Sequence, residues 1–104
     1  MKARKNAPKL LVNISNKAVE RIKPPDGGYI IAWDRQLKGF GIRVTAAGVR
    51  SFVLNYRIGG KERRATIARF GVLSADEARE IAVEWLGGVR KGRDPIKERE
   101  AYKG

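Results

Sequence analysis

Eight side chains at alternating positions carry the chemistry this chain can offer: Arg43, Thr45, Ser51, Val53, Asn55, Arg57, Arg64 and Thr66. Residues two apart in a strand share a face, so such a set would project together from one side of a sheet. A guanidinium can bond in a fork to guanine and an Asn amide to adenine, while hydroxyls and the Val53 methyls suit the thymine edge. The one acid on that face is Glu62. A second set, Arg35, Lys38, Arg50, Lys61, Arg63 and Arg69, falls near turns and strand ends, where cations reach phosphates and not bases. If about five phosphates are neutralised, the log–log salt slope should lie near −4 to −5.

Catalysis has little to work with. The 104 residues contain no His and no Cys, so an imidazole base, a thiolate nucleophile, a disulfide and a thiolate metal site are all excluded. The carboxylates lie mostly on a helix or in turns, with no pair converging on a pocket. Gly59-Gly60 and Gly87-Gly88 do not join a strand to a following helix, so neither cradles phosphate. No catalytic residue, metal or cofactor is expected. No apolar run has the length of a membrane span or a signal segment, and the chain reads as a cytoplasmic protein.

The elements that must position these groups follow from periodicity. Phe40, Ile42 and Val44 alternate with Gly41, Arg43 and Thr45; Phe52, Leu54, Tyr56 and Ile58 alternate with Ser51, Val53, Asn55 and Arg57. A period of two with one apolar parity predicts strands buried on one face and wet on the other. Gly59-Gly60 reads as a two-residue hairpin loop, pairing Tyr56 with Arg63, Leu54 with Ala65 and Phe52 with Ile67. The loop around Ala47-Gly48-Val49 would pair Val44 with Phe52 and Thr45 with Ser51. The apolar face then collects Phe40, Ile42, Val44, Phe52, Leu54, Tyr56, Ile58, Ala65 and Ile67. Tyr29–Asp34 reads as a further edge strand, with Trp33 as a core or edge-covering residue. Gly41 falls on the polar face, where a missing side chain would leave room for a duplex.

Ser15 offers an N-cap for a short helix over Asn16–Lys23, ended by Pro24-Pro25. Ser74-Ala75-Asp76-Glu77 is a capping box. Behind it Ala78, Ile81, Ala82, Trp85, Leu86 and Val89 form a helical stripe, with Arg79 and the acids away from it. The expected fold is α+β: a three- to four-stranded antiparallel sheet packed on one face by a C-terminal helix, with a short N-terminal helix. Residues 1–14 read as a basic flexible arm, 15–95 as the folded domain and 96–104 as the start of a charged linker.

The net charge of +12 is unevenly spread. Residues 1–23 hold seven Lys and Arg against one acid, and residues 24–73 hold nine against three, while 74–92 hold three against four. The basic excess therefore belongs to the arm and the sheet, which points to a polyanion.

The stretch Asp34-Arg35-Gln36-Leu37-Lys38-Gly39-Phe40-Gly41-Ile42-Arg43-Val44-Thr45 resembles the D-x-x-L-x-G-F-G-x-R-V-T signature of one family: the N-terminal arm-type DNA-binding domain of prophage and genomic-island integrases, the tyrosine recombinases. Ser51-Phe52, Tyr56-Arg57, Glu62-Arg63-Arg64, Thr66-Ile67, Arg69-Phe70-Gly71, Leu73-Ser74, Glu77-Ala78-Arg79 and Gly92-x-Asp94-Pro95 extend the likeness from about Leu11 to Pro95. Ala68 stands where that family usually has glycine. The resemblance implies a sheet set into the major groove of arm-type attachment sites, as one part of a recombinase whose core-binding and catalytic domains lie elsewhere. It implies double-stranded DNA as partner, an excisionase or host DNA-bending protein as further candidates, no membrane, and a monomeric isolated domain.

Two other classes fit a basic sheet: an RNA-binding module of ribosomal type, and an interaction module for an acidic protein. Stacked single-stranded RNA would want aromatic side chains on the polar face. The expected register places none there.

Overall fold

Gly59 and Gly60 adopt left-handed backbone angles, φ 58° and 79°, which side chains disfavour but a two-residue hairpin turn requires. They fold one nine-residue strand back on another, and the rest of the chain is assembled around that ribbon. The computed structural model describes residues 10–103. In order these form β1 (Leu10–Val12), α1 (Asn16–Arg21), β2 (Tyr29–Asp34), β3 (Phe40–Thr45), β4 (Arg50–Ile58), β5 (Lys61–Arg69), α2 (Ala75–Arg90) and α3 (Pro95–Lys103).

The strands make one sheet in the order β1-β2-β3-β4-β5. The expected three- to four-stranded antiparallel sheet is thus corrected to five strands and a mixed sheet, because β1 pairs parallel with β2, Leu11 opposite Trp33. Leu10–Val12, expected within a flexible arm, is therefore a sheet strand; residues 1–9 of that arm lie outside the described residues. The charged stretch expected as a linker forms α3 from Pro95. The Ile96 amide donates to the Asp94 carboxylate at 3.0 Å, and Arg99 lies over the Trp85 ring at 5.2 Å.

Register follows the expectation near the glycine turn, with Tyr56 opposite Arg63 and Leu54 opposite Ala65. A bulge at Phe52/Val53 then sets Phe52 against Ala68, not Ile67, and brings Arg69 opposite Ser51. Between β3 and β4 the turn is tighter than expected: the Thr45 amide donates to the Val49 carbonyl, so Val44 pairs with Arg50 and Ile42 with Phe52. That shift is two residues, which leaves every side chain on its expected face.

The apolar parity is the core. Phe40, Ile42, Val44, Phe52 and Leu54 are fully buried, each contributing about 1.5–3 kcal/mol on burial, with Tyr56 and Ala65 beside them and Ile58 and Ile67 packed at the margin. The Phe40 and Phe52 rings stack at 5.8 Å. The helix α2 closes this face with Ala78 and Ala82 buried at its centre, and α1 adds Val19. Both ends of the capping box are made: the Ser74 hydroxyl accepts from the Glu77 amide, and the Glu77 carboxylate from the Ser74 amide. Helix α1 stops at Arg21, short of the expected Lys23. The proline at position 24 pushes the backbone before it out of the helical region, and Ile22 is already extended at ψ 123°.

Charged side chains fasten these layers. Asp34 is 4 % exposed; its carboxylate accepts from the Ile14 and Leu37 amides and takes the Arg79 guanidinium in a fork, both contacts at 3.2 Å. Burial alone would raise the Asp34 pKa, but the Arg79 bonds and the two amides outweigh it and hold it below the ordinary carboxylate value. Arg79, expected on the wet side of its helix, is spent on this clamp. Asp94 receives the buried Tyr56 hydroxyl and, at 2.7 Å, Arg63. Burial again opposes ionisation, and the Tyr56, Ile96 and Arg63 hydrogen bonds override it, so Asp94 also lies low. The Tyr56 phenol is pushed up to about 12 by burial and then by that carboxylate.

Candidate nucleic-acid interface

The face of the sheet away from α1 and α2 is laid out in rows by the strand register. One row runs Ile31, Arg43, Ser51, Arg69 and the next Leu11, Trp33, Gly41, Val53, Thr66; Asn55 stands opposite Arg64 and Arg57 opposite Glu62. Tyr29 and Thr45 face each other at the far end. The eight residues expected to share a face therefore do so. Alternation places them there, and the core side chains of opposite parity hold the strands flat against α2.

They are not equally available. Arg57, Arg64 and Thr66 are exposed, and Arg43, Thr45, Ser51 and Asn55 are half-buried. Val53 is 1 % exposed, so its methyls support the face from within and do not present a surface for thymine. The Thr45 hydroxyl accepts from the Val49 amide at 3.1 Å, which anchors the β3–β4 turn. The space at Gly41 is occupied: a Cβ there would lie 2.8 Å from Cε3 of Trp33 and 2.9 Å from the Ala32 carbonyl oxygen. The glycine admits the indole and leaves no vacancy for a duplex.

Two of the arginines on this face, Arg64 and Arg43, are held by neighbours. The Arg64 Nε donates to Asn55 Oδ1 at 2.8 Å, with its guanidinium carbon 5.8 Å from the Trp33 ring. Arg43 lies 4.5 Å over the ring of Tyr29, which is 49 % exposed. Such cation–π contacts restrict a long side chain without neutralising it. Tyr29 and Trp33 thus bring aromatic groups to the face on which the expected register placed none, because β2 joins the sheet beside β3. The alternation of Tyr29, Ile31 and Trp33 with the more buried Ile30, Ala32 and Asp34 was the available signal.

Of the six expected phosphate contacts, Arg35, Lys38, Lys61 and Arg69 are exposed. Arg50 and Arg63 lie on the helix side instead. Arg50 donates to the Val19 and Ile22 carbonyls at 3.0 and 2.7 Å, at the end of α1 where the last carbonyls lack a full set of helical partners, and Arg63 is bound to Asp94. Arg35, Lys38 and Arg57 line a groove of about 890 Å³ at one end of the sheet, joined by Arg90 from α2, a residue that strand periodicity had no means of finding. No described helix is long and apolar enough to cross a membrane.

Comparison with known proteins gives the family of the chain. Residues 13–102 match the family model described as an arm DNA-binding domain. The chain is 31 % identical over 87 residues to the integrase of Shigella phage Sf6 and, equally, to the prophage integrase IntS of Escherichia coli (strain K12). Each match covers 82 % of this chain and 21 % of the relative, so the chain spans about a fifth of the length of these curated relatives. With nearly the whole described fold inside the matched region, the chain belongs to the arm DNA-binding domain family.

Proposed function

We propose that this domain binds arm-type attachment sites in double-stranded DNA sequence-specifically, by seating β3, β4 and β5 in the major groove. The single observation that carries the reading is the open sheet face, where Arg43, Asn55, Arg57, Arg64 and Thr66 share one side and Arg69 joins them through the bulge. Strands about 4.8 Å apart make a three-stranded ribbon roughly 10 Å across, against a major groove about 12 Å wide. Base edges would be met by Arg43, Ser51, Asn55, Arg57, Arg64 and Thr66, and phosphates by Arg35, Lys38, Lys61 and Arg69. Arg50, Arg63 and Val53 keep structural roles. The domain would serve a parent integrase of the tyrosine recombinase type in the cytoplasm, with strand cleavage carried outside the matched stretch. An excisionase or a host DNA-bending protein would act on the same complex.

The second reading is stacking of single-stranded RNA, favoured by the exposure of Tyr29 on the open face. Against it, Arg43 already occupies one face of the Tyr29 ring and Trp33 is wedged over Gly41. Titration with candidate arm-site duplexes, duplex RNA, single-stranded RNA and heparin, followed by backbone amide shifts, separates the readings. Duplex DNA should move amides of β3–β5. Shifts confined to β2 with single strands, or equal shifts with heparin, would overturn the proposal.

A further inference from the structure

Resting on the DNA reading above, we infer that Asn55 and Arg64 act as one unit that selects guanine through the Arg64 guanidinium, with Asn55 as its positioning partner and not a reader of adenine. The argument is one of donors and acceptors. Adenine presents a donor and an acceptor in the major groove, and an amide recognises it by accepting with its oxygen while donating with its nitrogen. Here the Asn55 oxygen already accepts from Arg64 Nε at 2.8 Å. An Arg Nε is only a donor, so the atom facing it must be the amide oxygen and the amide cannot be turned round without losing the bond. What remains is the Asn55 NH₂ and the two terminal nitrogens of Arg64, all donors, against a single lone pair left on the Asn55 oxygen.

A cluster of donors fits the base edge made of acceptors, which is guanine with N7 and O6. The pair is also held before any ligand arrives. Asn55 and Arg64 are directly opposite across β4 and β5, and the Trp33 ring stands 5.8 Å from the guanidinium carbon. A side chain fixed in this way loses less rotamer freedom on binding, which favours use of the pair as a rigid reader. Reading by the terminal nitrogens leaves the Asn55 oxygen wholly to Arg64, whereas adenine recognition by Asn55 would have to share that oxygen between the base and the guanidinium.

The test uses the 104-residue chain and a site selected from a randomised duplex pool, with each position then varied singly. One guanine should depend on the pair. Replacing it by 7-deazaguanine, which lacks N7, should weaken binding about tenfold or more, whereas inosine, which keeps N7 and O6, should bind as guanine does. Arg64→Ala and Asn55→Ala should relax this same base pair, and the double variant should relax it no further than Arg64→Ala alone. Thermal melts check that each variant folds; the base-analogue arms need no variant. Loss of an adenine preference at a separate position in Asn55→Ala, or indifference to 7-deazaguanine at every guanine, would overturn the inference while leaving DNA binding standing. Retention of no duplex from the pool would overturn the DNA reading itself.

Discussion

Replacing Arg79 by Met isolates the clamp that joins α2 to the sheet. The Asp34 side chain has no exposed surface and that of Arg79 is 21 % exposed, so the substitution strands a carboxylate in the interior. Breaking a buried pair by deleting one partner costs about 3–5 kcal/mol. Asp34 would keep its bonds from the Ile14 and Leu37 amides, which places the expected loss near the lower end, about 3 kcal/mol. For a domain of this size each kcal/mol lowers the midpoint by about 4–8 °C, so melting should fall by roughly 12–24 °C. The pH profile carries a second signature. The folded Asp34 pKa lies below 3.8, so its contribution is complete above that pH and is lost as pH falls through the lower folded value. Without Arg79, burial is opposed by the amides alone, and the acid limb of the stability curve should move to higher pH. Urea unfolding followed by the fluorescence of Trp33 and Trp85 measures both. A loss below about 1 kcal/mol together with an unmoved acid limb would show that the pair does not hold α2 in place.

Five other substitutions separate the two faces of the sheet. Tyr56→Phe should cost about 1.5–3 kcal/mol at neutral pH by leaving Asp94 short of a donor. The Tyr56 pKa is raised from 10.0 to about 12, so its contribution is present below pH 10 and disappears as pH rises toward 12; unfolding titrations should show Tyr56→Phe lacking that alkaline step. Gly41→Ala should destabilise by about 1–3 kcal/mol, since the new methyl meets the Ala32 carbonyl and the Trp33 ring; an unchanged urea midpoint would refute the wedge. Arg43→Ala should cost about 1–3 kcal/mol on a cognate duplex and blur one position, whereas Lys61→Ala should weaken all sequences alike, as read by binding isotherms on cognate and scrambled DNA. With Arg50 engaged by α1 and Arg63 by Asp94, four exposed phosphate contacts remain, and the salt slope should be about −3 to −4. Arg50→Met should lower the melting temperature without altering that slope.

Alternation carried most of the fold. Phe40 through Val44 and Phe52 through Ile58 revealed their buried parity, and Gly59-Gly60 fixed the β4–β5 register near the turn, because side-chain period and turn geometry are local properties. What escaped was non-local or weakly patterned. Strand β1 is three residues long and pairs in parallel with a strand about twenty residues on, so no hairpin signal marks it. Helix α3 has few apolar residues, although Asp94-Pro95 is a helix-start pair that marked its beginning. The bulge at Phe52/Val53 depends on how two faces pack and has no residue of its own to announce it.

The same distinction explains why the binding surface was legible by face and not by residue. Parity decides which side an arginine leaves the backbone, and for Arg43, Arg57 and Arg64 it decided correctly. What that guanidinium then meets is set by elements distant in the chain. Arg63 and Arg50 lie on the helix side, where the Asp94 carboxylate waits 31 residues from Arg63 and the Val19 and Ile22 carbonyls 31 and 28 from Arg50, while Arg79 finds Asp34 across 45. A cation so engaged stabilises the fold and releases no counterion from DNA. The formal charge of +12 therefore overstates the field available to a duplex. The sheet separates its charges by face: cations with carboxylate or carbonyl partners on the side of α1 and α2, and on the other side Arg43 and Arg64, steadied by Tyr29, Trp33 and Asn55 without an ion pair that would neutralise them.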